Sequence, residues 1–391
     1  MADQERWLLP EGIEEILPDE ARRLERLRRS LLDLFGTWGY ELVMPPLIEY
    51  LEALLTGTGR DLDLQTFKLT DQLTGRLMGV RADMTPQAAR IDAHFLKREC
   101  PLRLCYAGSV LRTRPDAFAG SRELLQLGAE LFGHPGPESD IEIAKLMLAA
   151  LDAAGLREVH LDLGHVGVFR GLAAEARLPD TLENELFEAL QRKARSQIEA
   201  LLAGVDAPSN TKMMLASLVD LNGGAETLTQ ARATLKSAPA AVQAALANLE
   251  TIAQAITRTG TPVYFDLAEL RGYRYYTGAV FSAFIPGQGQ AVAQGGRYDG
   301  IGRAFGRARA ATGFSTDLRR LLRLAPGDGV NTNGILAAHA DNAAHQEAIT
   351  KLRAAGERVL VRLPGDNSPA RASGCNRELV EQGGKWIVKT V

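Results

Sequence analysis

The chain has 391 residues, 46% of them hydrophobic and 24% charged, with a formal net charge of −3 at pH 7. This ordinary globular composition suits one large core with one or two smaller units. It lacks the basic excess of a dedicated nucleic-acid binder, and no apolar run is long enough to span a membrane. The three cysteines, Cys100, Cys105 and Cys375, fit neither a disulfide framework nor a metal-ligand spacing. They read as incidental thiols of a reducing compartment, and no metal is expected. The start, Met1-Ala2-Asp3-Gln4-Glu5-Arg6, is unlike a signal peptide, so a cytoplasmic protein is expected.

Residues 19–36 read as an amphipathic helix, with Asp19 as cap and Leu24, Leu27, Leu31 and Leu34 at helical spacing. A strand candidate at 40–44 ends at Pro45-Pro46. Residues 66–69 and 76–80 read as paired strands, and 86–97 as a helix. Two longer strands are predicted at 103–113 and 123–132, followed by a helix over 138–153 and a strand over 157–163. From 166 to about 260 the chain is rich in Ala, Leu and Glu at helical periods, which predicts a helical insertion. Strands resume at 262–267 and 277–285, Gly295-Gly296 reads as a turn, and a strand at 309–315 runs into a helix at 316–324. Pro326-Gly327-Asp328-Gly329 is a linker candidate, and 330–391 reads as a small α/β unit ending in a strand with apolar side chains facing inward. The expected division is therefore 1–165, 166–260, 261–325 and 330–391. The fold class is α+β, with an antiparallel sheet flanked by helices. No Walker loop is present, and no G-x-G-x-x-G follows a strand.

Four segments stand out. They are Val80-Arg81-Ala82-Asp83-Met84-Thr85-Pro86; Arg112 through Glu130, containing Leu125-Gln126-Leu127-Gly128-Ala129-Glu130; Leu270-Arg271-Gly272-Tyr273-Arg274-Tyr275-Tyr276-Thr277-Gly278; and Gly295-Gly296-Arg297-Tyr298-Asp299-Gly300 followed by Gly313 through Leu321. Each is weak alone, but their order and spacing resemble the class II histidyl-tRNA synthetase core over about residues 8–324. Residues 15–50 resemble that family's dimer-forming first motif, so a homodimer through the core is implied.

Free histidine carries an ammonium, a carboxylate and an imidazole, and a site for it needs acceptors, donors and a partner for the ring. Asp83 and Thr85 can take the ammonium, Arg112 and Gln126 the carboxylate, Glu130 an imidazole N–H, and Tyr275 or Tyr276 the ring. Gln126 and Glu130 are an even number apart on a predicted strand, so they share a face. The resemblance implies that these positions and Arg271 line a histidine pocket. The plainer alternatives are a surface ion pair for Arg112 and a helix-face charge for Arg320.

The departures bear on activity. Where the synthetases read Arg-x-Glu, this chain has Arg112-Thr113-Arg114, placing a donor where the adenine amino group needs an acceptor. Leu124 stands in place of an aromatic residue, Gly120 in place of a loop Arg, Asp317 in place of a Gly that makes room for the nucleotide, Arg319 in place of a Glu, and Arg274 in place of an Asp. Residues 330–391 carry eight Lys and Arg against six Asp and Glu, a poor platform for RNA. A histidine pocket, a degraded ATP site and a short tail together resemble the regulatory subunits of ATP phosphoribosyltransferase, in the first step of histidine biosynthesis. That resemblance implies a chain with no chemistry or cofactor of its own. It would activate a short-form catalytic subunit in a hetero-octamer and relay inhibition by free histidine. No nucleic-acid partner is expected. The competing reading is a true histidyl-tRNA synthetase.

Overall fold

The first helix, α1 (Pro18–Thr37), buries Leu24, Leu31, Leu32 and Phe35, while Leu27 and Leu34 of the predicted leucine stripe are partly buried against the same core. The computed structural model describes residues 7–56, 60–115, 120–269, 272–273, 275–326, 333–340 and 342–391. The chain divides after Ala325 into a large unit and a small C-terminal one. In the large unit α1 is followed by β1 (Glu41–Leu42), β2 (Ile48–Tyr50), α2 (Leu51–Leu54), α3 (Arg60–Gln65), β3 (Phe67–Thr70), β4 (Leu77–Val80) and α4 (Thr85–Arg90). The helix predicted over 86–97 changes character at Ile91–Leu96, which is π-helical. That stretch carries the buried Asp92, paired with Arg309 at 2.9 Å. Next come β5 (Leu102–Leu111), β6 (Glu123–Phe132), α5 (Pro137–Ala153) and β7 (His160–His165).

A helical block follows: α6 (Val166–Glu175), α7 (Asp180–Gln191), α8 (Arg195–Ala203), α9 (Ser209–Ser217), the two-residue strand β8 (Asn222–Gly223), α10 (Glu226–Thr234) and α11 (Ala240–Thr257). The unit closes with β9 (Val263–Asp266), β10 (Ala279–Phe284), β11 (Ala293–Arg297), β12 (Ala311–Asp317) and α12 (Leu318–Leu324). Nine strands form one sheet in the order β1-β5-β6-β12-β11-β10-β7-β9-β8, and β2-β4-β3 form a small second sheet. The main sheet is antiparallel from β5 to β7 but parallel at β1–β5 and β7–β9. The expectation of an antiparallel sheet therefore holds for the centre and needs correction towards the ends. There, long crossovers, one of them the whole helical block, allow parallel pairing.

Gly295 and Gly296 are not a turn: both lie inside β11, paired with Phe314 and Gly313 of β12. A side chain at Gly295 would collide with the Gly313 carbonyl, and one at Gly296 would meet the Tyr276 ring at 3.0 Å. Here the missing side chains serve close approach rather than chain reversal.

Along β6 the odd residues Leu127, Ala129 and Leu131 pack into the main core with α1 and α5, while Gln126, Gly128 and Glu130 face the other side. That second face is the site face. Among the described residues no helix is long and apolar enough to cross a membrane.

The C-terminal unit holds β13 (Gly334–Ala337), α13 (Ala343–Ala354), β14 (Val359–Val361), β15 (Cys375–Gln382) and β16 (Lys385–Thr390), in the order β14-β13-β15-β16. Asn342 caps α13 by accepting from Ala344 and His345 N–H. Gly383 and Gly384, both at positive φ, make the two-residue turn of the last hairpin. The final strand only partly faces inward. Trp386 lies against the buried His345, with ring centroids 4.3 Å apart, whereas Val388 is exposed.

Candidate functional site

Glu130 is the centre of the site face. It is 1% exposed on β6 and accepts from Tyr106 Oη at 2.7 Å and from Tyr298 Oη. Burial pushes its carboxyl pKa up to about 8, although the two phenols favour the charged form. The phenols themselves are raised well above the usual tyrosine range, by burial first and the Glu130 charge second. The space for this cluster comes from glycine: a Cβ on Gly313 would overlap Glu130 Oε2, and one on Gly128 would overlap the Tyr106 hydroxyl.

Four residues back along the same strand, Gln126 is fixed at both ends of its amide. Its Nε2 donates to Asp83 Oδ1 at 2.8 Å and its Oε1 accepts from Met84 N at 2.9 Å. Asp83 Oδ1 also accepts from Thr85 N at 2.9 Å, and Thr85 Oγ1 lies 2.9 Å from Tyr106 Oη. Asp83, Thr85, Gln126 and Glu130 thus form one hydrogen-bonded chain through Tyr106. Arg112 lies at its margin, with its Nε 3.5 Å from Ala82 O and its backbone N–H donating to Arg122 O at 2.8 Å.

The turn at 272–276 supplies the third wall. Gly272, at φ +66°, reverses the chain, and its carbonyl accepts from the amides of Tyr275 and Tyr276 at 2.7 and 2.8 Å. Tyr275 stacks on Tyr298 with centroids 5.0 Å apart and meets Tyr276 edge-on at 5.2 Å. Its hydroxyl is buried and has no partner among the described residues. From the helical block, Arg170 donates to the carbonyls of Tyr273 and Tyr276 at 3.0 and 3.2 Å, and Glu183 accepts from Tyr273 Oη at 2.6 Å. Arg271 and Arg274 lie outside the described residues.

The fourth wall carries the departures from the synthetase pattern. Asp317 accepts from Leu125 N on β6 and from Arg319 N in the first turn of α12, both at 3.1 Å. Arg319 is buried and donates to the carbonyls of Glu123 and Glu14 at 3.4 and 3.3 Å. Arg320 is not a solvated helix charge, since it donates to the carbonyls of Ala291 and Gln290 at 2.7 and 2.9 Å. Arg114 is exposed, and Leu124 packs on the cluster that contains Tyr106 and Tyr298.

Sequence reasoning gave no role to Tyr106 or Tyr298. Tyr298 sits in a segment already singled out. Tyr106 carried a usable signal: it is the cross-strand partner of Gly128, so a large ring stands opposite a vacant position. Chemically the site offers a buried carboxyl, a carboxylate–amide pair, an unpartnered phenol and aromatic walls, which suits a small zwitterion with a heteroaromatic ring. Among the described residues no group of three or more His, Cys, Asp or Glu side chains could hold a metal.

The profile of the histidyl-tRNA synthetase family matches residues 12–321, and that of the ATP phosphoribosyltransferase subunit HisZ C-terminal domain matches residues 332–389. The chain is 55% identical over 391 residues to the ATP phosphoribosyltransferase regulatory subunit of Pseudomonas aeruginosa, covering 99% of each chain. It is 56% identical to that of Alkalilimnicola ehrlichii, covering 98% of this chain and 97% of that one. Among solved structures, a Bacillus halodurans protein described as an ATP phosphoribosyltransferase regulatory subunit/histidyl-tRNA synthetase superposes with a TM-score of 0.83 at 29% identity, over 94% of this chain and 96% of that one. Histidyl-tRNA synthetase from Nostoc shares the fold, at a TM-score of 0.76 and 18% identity over 98% and 97% of the two chains. On a histidyl-tRNA synthetase fold, then, this chain belongs to the family of ATP phosphoribosyltransferase regulatory subunits.

Proposed function

We propose that this chain is a non-catalytic cytoplasmic subunit that activates a short-form ATP phosphoribosyltransferase catalytic subunit and senses free histidine for feedback inhibition. The observation that carries this reading is a contrast on one sheet. The Glu130 cluster keeps a buried carboxyl ringed by phenols, while Asp317 and Arg319, at positions matched to the synthetases' nucleotide site, are bonded to the chain's own backbone. In the bound state histidine's imidazole meets Glu130 and the free Tyr275 hydroxyl. Its ammonium meets Asp83 and Thr85, and Gln126, Arg112 and Arg271 serve its carboxylate. Tyr276 packs on the ring. The exposed apolar run Leu42, Met44, Leu47 and Ile48 supports a homodimer through the first motif, from which a hetero-octamer with the catalytic subunit is built.

The test is reconstitution with a short catalytic subunit, measuring phosphoribosyl transfer with and without this chain and with added histidine. Activation by the chain and its reversal by histidine are expected. Robust histidine-dependent exchange of pyrophosphate into ATP by the chain alone would instead establish the synthetase reading.

A further inference from the structure

The turn at 272–276 joins two packing environments. Tyr273 is buried in the main core, whereas Tyr275, two residues on, packs on the cluster that holds Tyr106 and Tyr298. On the core side the Tyr273 ring meets Phe169 of α6 edge-on, with centroids 5.3 Å apart, and lies tilted against Phe187 of α7 at 5.5 Å. The Arg170 guanidinium stands 4.8 Å from the centre of the same ring. Its Nη2 donates to the carbonyls of both Tyr273 and Tyr276, so one cation spans the turn and grips it on either side of Tyr275. Glu183, in the first turn of α7, holds the Tyr273 hydroxyl. The flanks are tied as well: Val166 N at the start of α6 donates to Gly278 O at 3.1 Å, and Gln191 at the end of α7 donates to Ala268 O at 2.8 Å. On the site side, the Tyr276 ring fits between two glycines. A Cβ on Gly272 would meet one edge of the ring at 2.9 Å, and a Cβ on Gly296 the other edge at 3.0 Å. The backbone of the turn therefore decides where this ring lies. Carbonyls in a turn are ordinarily met by water, which leaves the turn free to shift; here a buried-side cation takes that place.

We infer that Arg170, assisted by Glu183, is a positioning residue for the histidine site: it holds the 272–276 turn in the arrangement that sets Tyr275 and Tyr276 beside the Glu130 cluster. The inference rests on the function given above, since it takes these two rings as part of the histidine pocket. Arg170 and Glu183 act through the Tyr273 ring and the turn's backbone rather than by touching the ligand. The helical block is thereby coupled to the pocket. A displacement of α6 against the turn changes histidine affinity, and histidine in the pocket stiffens the same contact, because such coupling is reciprocal.

The experiment compares the full chain with Arg170→Met and with Tyr273→Phe. The second keeps the ring and drops only the Glu183 bond, so it keeps the test decisive if the first fails to fold. Folding is followed by thermal melting, histidine binding by calorimetric titration, and local order by amide hydrogen exchange at 275–277 against exchange in β6. Faster exchange at 275–277 with parent-like exchange in β6 is expected for both variants, which a general loss of stability would not produce. Histidine affinity is expected to fall about tenfold in Arg170→Met and about threefold in Tyr273→Phe, in keeping with the loss of hydrogen bonds to a charged group. Parent-like exchange at 275–277 in both variants overturns the positioning role, as does faster exchange there with unchanged histidine affinity; either result leaves the functional reading standing. Absence of histidine binding by the parent chain overturns the functional reading instead, and the exchange comparison then still decides whether Arg170 holds the turn.

Discussion

The Glu130 carboxylate lies against the bare α-carbon of Gly313, its cross-strand partner on β12. A single added methyl group would overlap Oε2. Gly313→Ala is expected to displace the carboxylate and destabilise the large unit by about 1–3 kcal/mol, as overpacking does. Histidine binding is expected to be lost with it. Urea unfolding and calorimetric titration with histidine check the two effects; a variant with parent stability would mean that the cluster is looser than described.

Glu130 also sets a pH dependence. Its folded pKa of about 8 lies above the unfolded carboxyl value near 4.3. The native state therefore keeps a proton that the unfolded chain releases. This contribution to stability is fully present below about pH 4.3, declines as pH rises, and is lost through about pH 8. Glu130→Gln should remove that slope, flattening the urea midpoint between pH 5 and 9. An equally steep slope in the variant would assign the proton to another group.

The unpartnered Tyr275 hydroxyl gives a test in the opposite direction. Removing a buried donor that bonds to nothing relieves its desolvation penalty. Tyr275→Phe is expected to be as stable as the parent or up to about 1 kcal/mol more stable, because the stacking on Tyr298 is kept. Histidine affinity is expected to fall by about three- to tenfold, the size of one hydrogen bond. Unchanged affinity would remove Tyr275 from the binding set.

Asp317→Ala deletes both the α12 cap and the tie to the Leu125 amide. A loss of about 1–2 kcal/mol is expected, with histidine affinity within twofold of the parent. Thermal melting and the same titration decide this, and tight ATP binding in the variant would contradict the arrangement of Arg319.

Local periodicity carried the larger elements. The leucine spacing of α1 and the period of two in β6 made those elements readable, and with β6 came the shared face of Gln126 and Glu130. What escaped depends on contacts distant in sequence. Gly295 and Gly296 look like a turn until Tyr276 and the Gly313 carbonyl are placed beside them. Ile91–Leu96 keeps an apolar helical pattern, while its π geometry accompanies the pairing of Asp92 with Arg309, more than two hundred residues away. Tyr106 became a site residue only once register set it opposite Gly128. Arg320 looked like a surface charge because its carbonyl partners sit in another loop.

Asp317 ties β6 to α12. Returning that position to the glycine of the synthetase pattern would reopen space, but it would also release Leu125 and the first turn of α12, while Arg319 still occupied the neighbourhood. Stability would fall before any nucleotide contact was regained. The side chain therefore acts as a fastener between sheet and helix, and the position is held by what it ties together rather than by what it leaves room for.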